Sequence, residues 1–285
     1  MTADTTPTVR VLRVQCADAT GIIHRVTGVL AAQGLNVIEQ EEFVDAPTGR
    51  FFLRTAFTGA ADDVAVAKAV ADVVDDASTT VHVRPRQKRR IAILVTKEAH
   101  CVGDLLVRDF SGELNAEIAC VVGNHETLRP LVERFGHPFV HVPSDGLSHA
   151  EHDAAVLDAL DGYQVEFLVF AKYMRIVGQG FIDHYKHRII NIHHSFLPAF
   201  IGAKPYHQAY KRGVKIIGAT AHFVTGDLDA GPIIAQDVVS VRHSHGLGDM
   251  IQSGRNVEKI VLARALRLVF DDRVFVHGNR TVIFD

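Results

Sequence analysis

The sequence predicts an α/β protein in two parts: a ferredoxin-like βαββαβ unit, followed by a Rossmann-like, mostly parallel, doubly wound domain. Three observations carry this prediction. Residues 1–84 read strand, helix, strand, strand, helix, strand. From residue 91 onward, apolar strand candidates alternate with helix-compatible segments. A basic run with a proline, RPRQKRR (84–90), separates the two patterns. The expected division is therefore 1–84, a linker at 85–90, and 91–285.

In the first part, VRVLRVQC (9–16) reads as a strand. Asp18 or Thr20 is placed to cap the helix that follows, whose Ile22, Ile23, Val26, Val29 and Leu30 share one face. Gly34 stands where a helix C-cap glycine belongs. The segments 36–44 and 50–58 bracket Asp45-Ala46-Pro47-Thr48-Gly49, which is turn chemistry between two strands. Val66, Val70, Val73 and Val74 form a second helical stripe, and TTVHVR (79–84) closes the unit. Helices interleaved in this way with an antiparallel sheet make a ferredoxin-like fold.

In the second part the strand candidates are 91–96, 116–122, 138–142, 165–171 and 188–193. Strands alternating with helices indicate a parallel, doubly wound sheet. Two further apolar runs, 218–224 and 231–239, follow with only a short connection, then a long helix at 257–270 and a last short strand at 280–285.

Composition narrows the function. At 47% hydrophobic and 22% charged over 285 residues, the chain reads as a soluble globular protein. A net charge of −3 exerts no general pull on nucleic acid or anionic membrane, so neither is expected as a partner. No apolar run reaches membrane-spanning length, and MTADTTPTVRVLRV lacks the features of a secretory leader. Cys16, Cys101 and Cys120 are widely spaced and odd in number, which fits a reducing cytoplasm. No H-E-x-x-H or G-x-S-x-G pattern occurs, removing the best signatures of zinc and serine hydrolases. The pair His184/His187 and His243-Ser244-His245 read as surface histidines, and no metal is expected.

The chemistry concentrates at NIHHSFLP (191–198), where a short apolar run turns polar and stops at Pro198. Ligands of open parallel sheets bind beyond the strand C-termini. Alternate residues of a strand share a face, so Asn191 and His193 point together and Ile192 and His194 point away. Two readings stay open at this point: delivery of an amide and an imidazole to a pocket, or hydrogen-bonded capping of a strand end. A second segment, HFVTGDLDAGPIIAQ (222–236), holds Thr225, Gly226, Asp227 and Asp229 in a turn. If its strand lies beside 188–193, a carboxylate meets Asn191 and His193. An amide, an imidazole and a carboxylate suit attack on a carbonyl by water or an amine. After the first strand of the large domain the chain reads KEAHCVGDLL (97–106), with one glycine, so the usual phosphate-cradling loop is missing there.

These motifs carry a resemblance. AKYMRI (171–176), NIHHSFLPAFIGAKPYHQAY (191–210) and HFVTGDLDAGPI (222–233) are similar to the formyltransferase family that uses 10-formyltetrahydrofolate. RRIAILVTKEAHC, VVGNHETLRPLVERF and RVFVHGNRTVI bring the likeness closer to its formyltetrahydrofolate deformylase branch, and DATGIIHRVTGVL resembles the ACT domain that precedes the catalytic domain there. The resemblance implies hydrolysis of 10-formyltetrahydrofolate to formate and tetrahydrofolate, with Asn191, His193 and Asp229 catalytic. It implies folate contacts at Arg175, Val177, Thr225 and Gly226. It implies no metal or redox cofactor, a homo-oligomer, and an amino-acid effector near Asp18, Gly21, Ile22 and Asn36. The alternative is formyl transfer to a small amine such as glycinamide ribonucleotide, but KEAHCVG replaces that branch's glycine-rich loop. Transfer to an aminoacyl-tRNA would need a basic surface, which the net charge does not provide. KEAHC (97–101), Tyr206 and His207 are the candidates for suppressing transfer.

Overall fold

A computed structural model describes residues 8–199 and 205–285; residues 200–204 of the motif quoted above lie outside the described residues. The chain divides into two compact units. One comprises Met1–Gln87 with Asp271–Phe275 and Phe284–Asp285, the other Lys88–Phe270 with Val276–Ile283. The chain end is thus shared between the units, where the sequence reading gave all of 91–285 to the second.

The first unit runs β1 (Arg10–Ala17), α1 (Ile22–Ala32), β2 (Asn36–Asp45), β3 (Arg50–Thr58), α2 (Asp63–Val74) and β4 (Thr80–Pro85). The strands form an antiparallel sheet in the order β2-β3-β1-β4. Its apolar face meets the helical stripes, so that Leu12, Val14, Val26, Leu30, Val66 and Val70 are all 0% exposed. Asp62 caps α2 by accepting from the Val64 and Ala65 N–H groups. The expected cap of α1 at Asp18 or Thr20 is absent: Gly21, at φ +83°, is the N-cap and no side chain caps there. The C-terminal end of α1 closes as expected, with Gly34 N–H bonded to Ala31 O and Leu35 N–H to Leu30 O, both at 3.0 Å.

The other side of this sheet buries a charge. The guanidinium of Arg54, 0% exposed, lies 3.1 Å from Glu39 and 3.3 Å from Glu41 and donates twice at 3.2 Å to the carbonyl of Asp271. Arg273 reaches the same two glutamates. The arrangement explains why Asp271–Phe275 belong with this unit: their backbone and side chains complete the coordination of a buried cation.

The second unit contains β5 (Arg89–Val95), α3 (His100–Phe110), β6 (Ala116–Gly123), α4 (Arg129–Arg134), β7 (Phe139–His141), α5 (His149–Leu160), β8 (Phe167–Phe170), α6 (Gln179–His184), β9 (Ile189–His193), α7 (Pro205–Arg212), β10 (Ile216–Phe223), β11 (Ile233–Ser240) and α8 (Leu247–Phe270). A final hairpin, β12 (Val274–His277) and β13 (Arg280–Ile283), forms its own two-stranded sheet. With β4 ending at Pro85 and β5 starting at Arg89, only residues 86–88 connect the two main sheets, fewer than the expected linker. The seven-stranded sheet has the order β11-β10-β9-β8-β5-β6-β7. Strands β9, β8, β5, β6 and β7 are parallel, whereas β10 is antiparallel to both β9 and β11. The order changes direction between β5 and β8, which puts a topological switch point, the usual place for a ligand crevice, between their C-terminal ends.

One buried hydroxyl fixes the turn that ends β9. Thr220, 0% exposed on β10, donates to Ser195 O at 2.9 Å and accepts from Leu197 N at 3.0 Å and Gln236 Nε2 at 2.9 Å. A hydroxyl offers one donor and two acceptor positions, so Thr220 is fully used. Gln236 also donates to Leu197 O at 3.0 Å, and the Leu197–Pro198 peptide is cis.

Two stability measurements check these features by chemical denaturation. Arg54→Met is expected to cost about 2–3 kcal/mol, below the roughly 3–5 kcal/mol of a fully buried pair, because Glu39 and Glu41 keep 33% and 27% of their side chains in solvent. Thr220→Val is expected to cost about 2–4 kcal/mol by leaving buried polar groups of the 195–197 turn unpaired, and Thr220→Ser to recover most of that loss.

Candidate active site

β9 carries two polar side chains to one face of the sheet at its C-terminal half. Asn191 is opposite His222 of β10, and His193 is opposite Thr220. Asn191 Nδ2 lies 3.2 Å from His222 Nε2, and His222 Nδ1 lies 3.0 Å from the carbonyl of Phe223. That carbonyl can only accept, so the His222 proton sits on Nδ1 and Nε2 accepts from the Asn191 amide. Burial holds His222 below its usual pKa, which keeps it neutral and suited to this role. The amide of Asn191 is thereby oriented, with a second N–H left for a ligand.

His193 is 5% exposed. Its Nδ1 lies 3.2 Å from Asp229 Oδ1, and its Nε2 is buried with no hydrogen-bond partner among the described residues. A buried imidazole nitrogen left alone costs free energy and is expected where a ligand provides the missing bond. Burial raises the Asp229 carboxyl, but the bond from His193 and the nearby His222 and His194 imidazoles outweigh it, so the group stays below the ordinary carboxylate range and ionised.

The sequence reading brought this carboxylate to Asn191 and His193 by supposing adjacent strands, and β10 does lie beside β9. The route is less direct than supposed. Because the pair is antiparallel, β10 leaves at the Ile189–Ile190 end of β9, where Val224 N bonds Ile189 O at 3.0 Å. The 225–229 segment then folds back until Asp229 reaches His193. Two features permit the return. Asp229 adopts φ +55°, which Asp tolerates better than most residues. Gly231 passes so close to β10 that a Cβ would sit 1.8 Å from Phe223 O. Asn279 of the final hairpin holds the end of the loop by donating to Ala230 O at 2.9 Å.

A cleft of about 280 Å³ opens between this loop and the segment after β8, with Asn191, His193, Asp229, Arg175, Val177 and Thr225 among its lining residues. Gly226 lines it as well, beside Gln179. The segment after β8 is tied at three points: Met174 N donates to Thr96 Oγ1 at 2.9 Å, His149 to Ile176 O at 3.2 Å, and Gly178 N to Asp153 Oδ2 at 2.6 Å. Val177 packs into the core while Arg175 is half-buried. All seven residues that the sequence reading assigned to catalysis and folate contact therefore meet in one cleft. His194 borders it too, although strict alternation pointed this ring away; β9 ends at His193, so alternation no longer applies. Burial, with Lys172 and His193 adding to it, pulls His194 down to about 4.

Sequence reasoning missed His222 and Thr220, both inside the apolar run 218–224. Their importance depends on the antiparallel register, which no local pattern carries. His207, a candidate for acceptor suppression, is exposed on α7 and separate from the cleft lining. His184, His187 and His243 are exposed, and His245 accepts from the Arg242 N–H of its own turn. The three cysteines are buried and free.

The expected effector residues do not form one group within a chain. Asp18 and Gly21 follow the Ala17 end of β1, which pairs with Arg50. Asn36 pairs with Thr58, at the opposite end of β3. Ile22 is 2% exposed and belongs to the core.

Comparison with known proteins matches this organisation. Residues 89–266 match the formyl transferase family and residues 10–75 match the ACT domain. The chain is 53% identical to the formyltetrahydrofolate deformylase of Escherichia coli (strain K12), over 96% of this chain and 98% of that protein. A crystal structure of a formyltetrahydrofolate deformylase from Pseudomonas syringae pv. tomato superposes with a TM-score of 0.94 at 42% identity, covering 99% of this chain and 96% of the other. Glycinamide ribonucleotide transformylase 1 from Symbiobacterium toebii shares less, with a TM-score of 0.67 at 31% identity over 70% of this chain and 95% of the other. An ACT domain, a formyltransferase domain and near full-length identity together place this chain in the formyltetrahydrofolate deformylase family.

Proposed function

We propose that the chain hydrolyses 10-formyltetrahydrofolate to formate and tetrahydrofolate in the cleft bounded by 172–177 and 225–229. The observation that carries the reading is the approach of Asp229 Oδ1 to His193 Nδ1 at 3.2 Å beside the oriented amide of Asn191. The pterin enters along Arg175, Val177, Thr225 and Gly226. The formyl oxygen takes an N–H of Asn191 and a proton-bearing Nε2 of His193, supplying the bond this nitrogen lacks. Asp229 uses Oδ1 on His193, and Oδ2 holds the attacking water.

Water oxygen bonds to the formyl carbon as its proton passes toward Asp229. The two donors stabilise the resulting oxyanion, an effect typically worth about 10²–10³ in turnover for one donor. Collapse breaks the bond from carbon to the folate 10-nitrogen. That nitrogen receives the His193 Nε2 proton, the proton on Asp229 returns the ring to its proton-bearing form, and the formic acid produced loses its proton to solvent. Formate and tetrahydrofolate leave. The scheme exchanges a carbon–nitrogen bond for a carbon–oxygen bond with accompanying proton transfers, and it calls on no metal or redox cofactor. Hydrolysis is preferred to transfer because the transformylase likeness is weaker and covers 70% of this chain, against 99% for the deformylase structure.

We place the reaction in the cytoplasm, where the formate supports purine synthesis and the hydrolysis balances the folate pool; free, buried cysteines fit that compartment. The first unit is assigned to amino-acid control through pairing of two copies. β2 is an edge strand, and Val37, Ile38, Phe43 and Val44 on it are 36–52% exposed, an apolar edge that a second copy would cover. Pairing also accounts for the separated effector residues: Asp18 and Gly21 come from one copy and Asn36 from the other.

Two measurements test this reading. In a formate-release assay Asn191→Ala should lose about 10²–10³ in kcat and Asp229→Asn about 10²–10⁴, while calorimetry still detects folate binding; near-normal turnover in either variant contradicts the roles given. Light scattering should find an oligomer whose formate release responds to an amino acid, and a monomer indifferent to all amino acids contradicts the assignment of the first unit.

A further inference from the structure

Beside the cleft, at the switch point between β5 and β8, the chain fills the crevice with its own charges. Lys172 follows β8 and lines the cleft with Asn191 and His193. Its ammonium, on a residue 4% exposed, turns away to Glu258 of α8 at 3.3 Å, and Glu258 is 0% exposed. The same carboxylate takes a bond from His100 Nε2 at 2.7 Å and from the Tyr206 hydroxyl at 2.6 Å. Glu98, in the segment after β5, stands 3.9 Å from Lys172 and 3.1 Å from Arg255. Tyr206 is locked in place, since a Cβ on Gly254 of α8 would lie 2.1 Å from its hydroxyl.

His100, Cys101 and Glu258 bring three donor types within 4.8 Å of one another, but this is a network and not a metal site. The Glu258 oxygens already serve Lys172, His100 and Tyr206. The Cys101 thiol is driven well above its usual pKa by burial, so it stays protonated, whereas a metal-bound cysteine is a thiolate.

A transferase and a hydrolase working on one formyl group differ in what must fit beside it. A transferase needs room for an amine-bearing molecule, whereas a hydrolase needs room for water. An open α/β sheet offers its ligand crevice at the switch point, and here that crevice is occupied by a desolvated carboxylate whose partners are all internal. The buried ammonium is matched by two carboxylates, so it presents no uncompensated charge to a phosphate. An anionic acceptor would instead approach Glu98, whose side chain is 39% exposed.

We propose that the His100–Glu258–Tyr206–Lys172 network plugs the acceptor side of the cleft, so that water is the only nucleophile able to reach the formyl carbon. His100 and Tyr206 are specificity-determining residues that act by holding Glu258 and, through it, Lys172. The proposal rests on the deformylase reading above. The reaction it prevents is attack by an amine nitrogen: a carbon–nitrogen bond forms, the bond to the folate 10-nitrogen breaks, and the amine proton moves to that nitrogen, with no redox change.

The test uses the full chain with 10-formyltetrahydrofolate and excess glycinamide, and mass spectrometry follows formate and N-formylglycinamide together. Wild type should release formate alone. His100→Ala opens the plug and should raise the ratio of formylated amine to formate by about tenfold or more. His100→Gln, which keeps bulk and a donor, should return the ratio to the wild-type value, a rescue that general loosening of the fold would not give. Tyr206→Phe, which removes only the hydroxyl on Glu258, should shift the ratio in the same direction and carries the test if the alanine variant does not fold. An unchanged ratio in folded variants that still release formate overturns the plug. Wild type releasing no formate without an acceptor refutes the deformylase reading instead, a separate result.

Discussion

The site depends on one contact, the approach of the Asp229 carboxylate to the His193 imidazole. Without it the buried imidazole would lose its Nδ1 partner, and the carboxylate would keep only the more distant His222 Nε2, at 3.9 Å. Together they settle each other: the ring supplies a donor that keeps the acid ionised, and the acid fixes which ring nitrogen is left over beside the cleft. The remaining nitrogen is left buried and, among the described residues, unpaired. That gap in the hydrogen-bond pattern is where the proposed reaction puts its developing negative charge.

Much of the second unit can be understood as support for this contact. β9 ends where its two polar residues must be presented, and Thr220 and Gln236 hold the turn that follows. His222 is kept neutral by burial so that it can accept from Asn191. The return of the 225–229 loop is made possible by backbone forms that suit Asp and Gly. On the far side of the cleft, three hydrogen bonds tie down the segment after β8. A preorganised site of this kind spends little reorganisation at the moment of reaction.

The sequence made the order of elements legible because buried strands show as short apolar runs and the helices of the first unit as stripes of Val, Ile and Leu. The cluster of Asn191, His193 and Asp229 was legible for a different reason: Asn191 and His193 interrupt the end of one apolar run, and Asp229 stands in the turn that follows another. What could not be read depended on partners distant in the chain. Arg54 sits in an ordinary strand, and only the sheet reveals that Glu39, Glu41 and the Asp271 carbonyl surround it. The start of α8 at Leu247, ten residues before the expected 257, falls in a stretch with Gly248, Ser253 and Gly254 that weakens the helical pattern. Gly254 is there for close packing against Tyr206, which is a tertiary requirement. The left-handed N-cap at Gly21 and the split of the effector residues between opposite sheet ends are likewise consequences of register.

A crystal structure with a non-hydrolysable 10-formyl folate analogue tests the central claim most directly. The formyl oxygen should lie within about 3.2 Å of both Asn191 Nδ2 and His193 Nε2, the range of an ordinary hydrogen bond, with an ordered water on Asp229 Oδ2 facing the formyl carbon. A formyl group directed away from these side chains, with Asp229 parted from His193 and no water positioned for attack, would contradict the account.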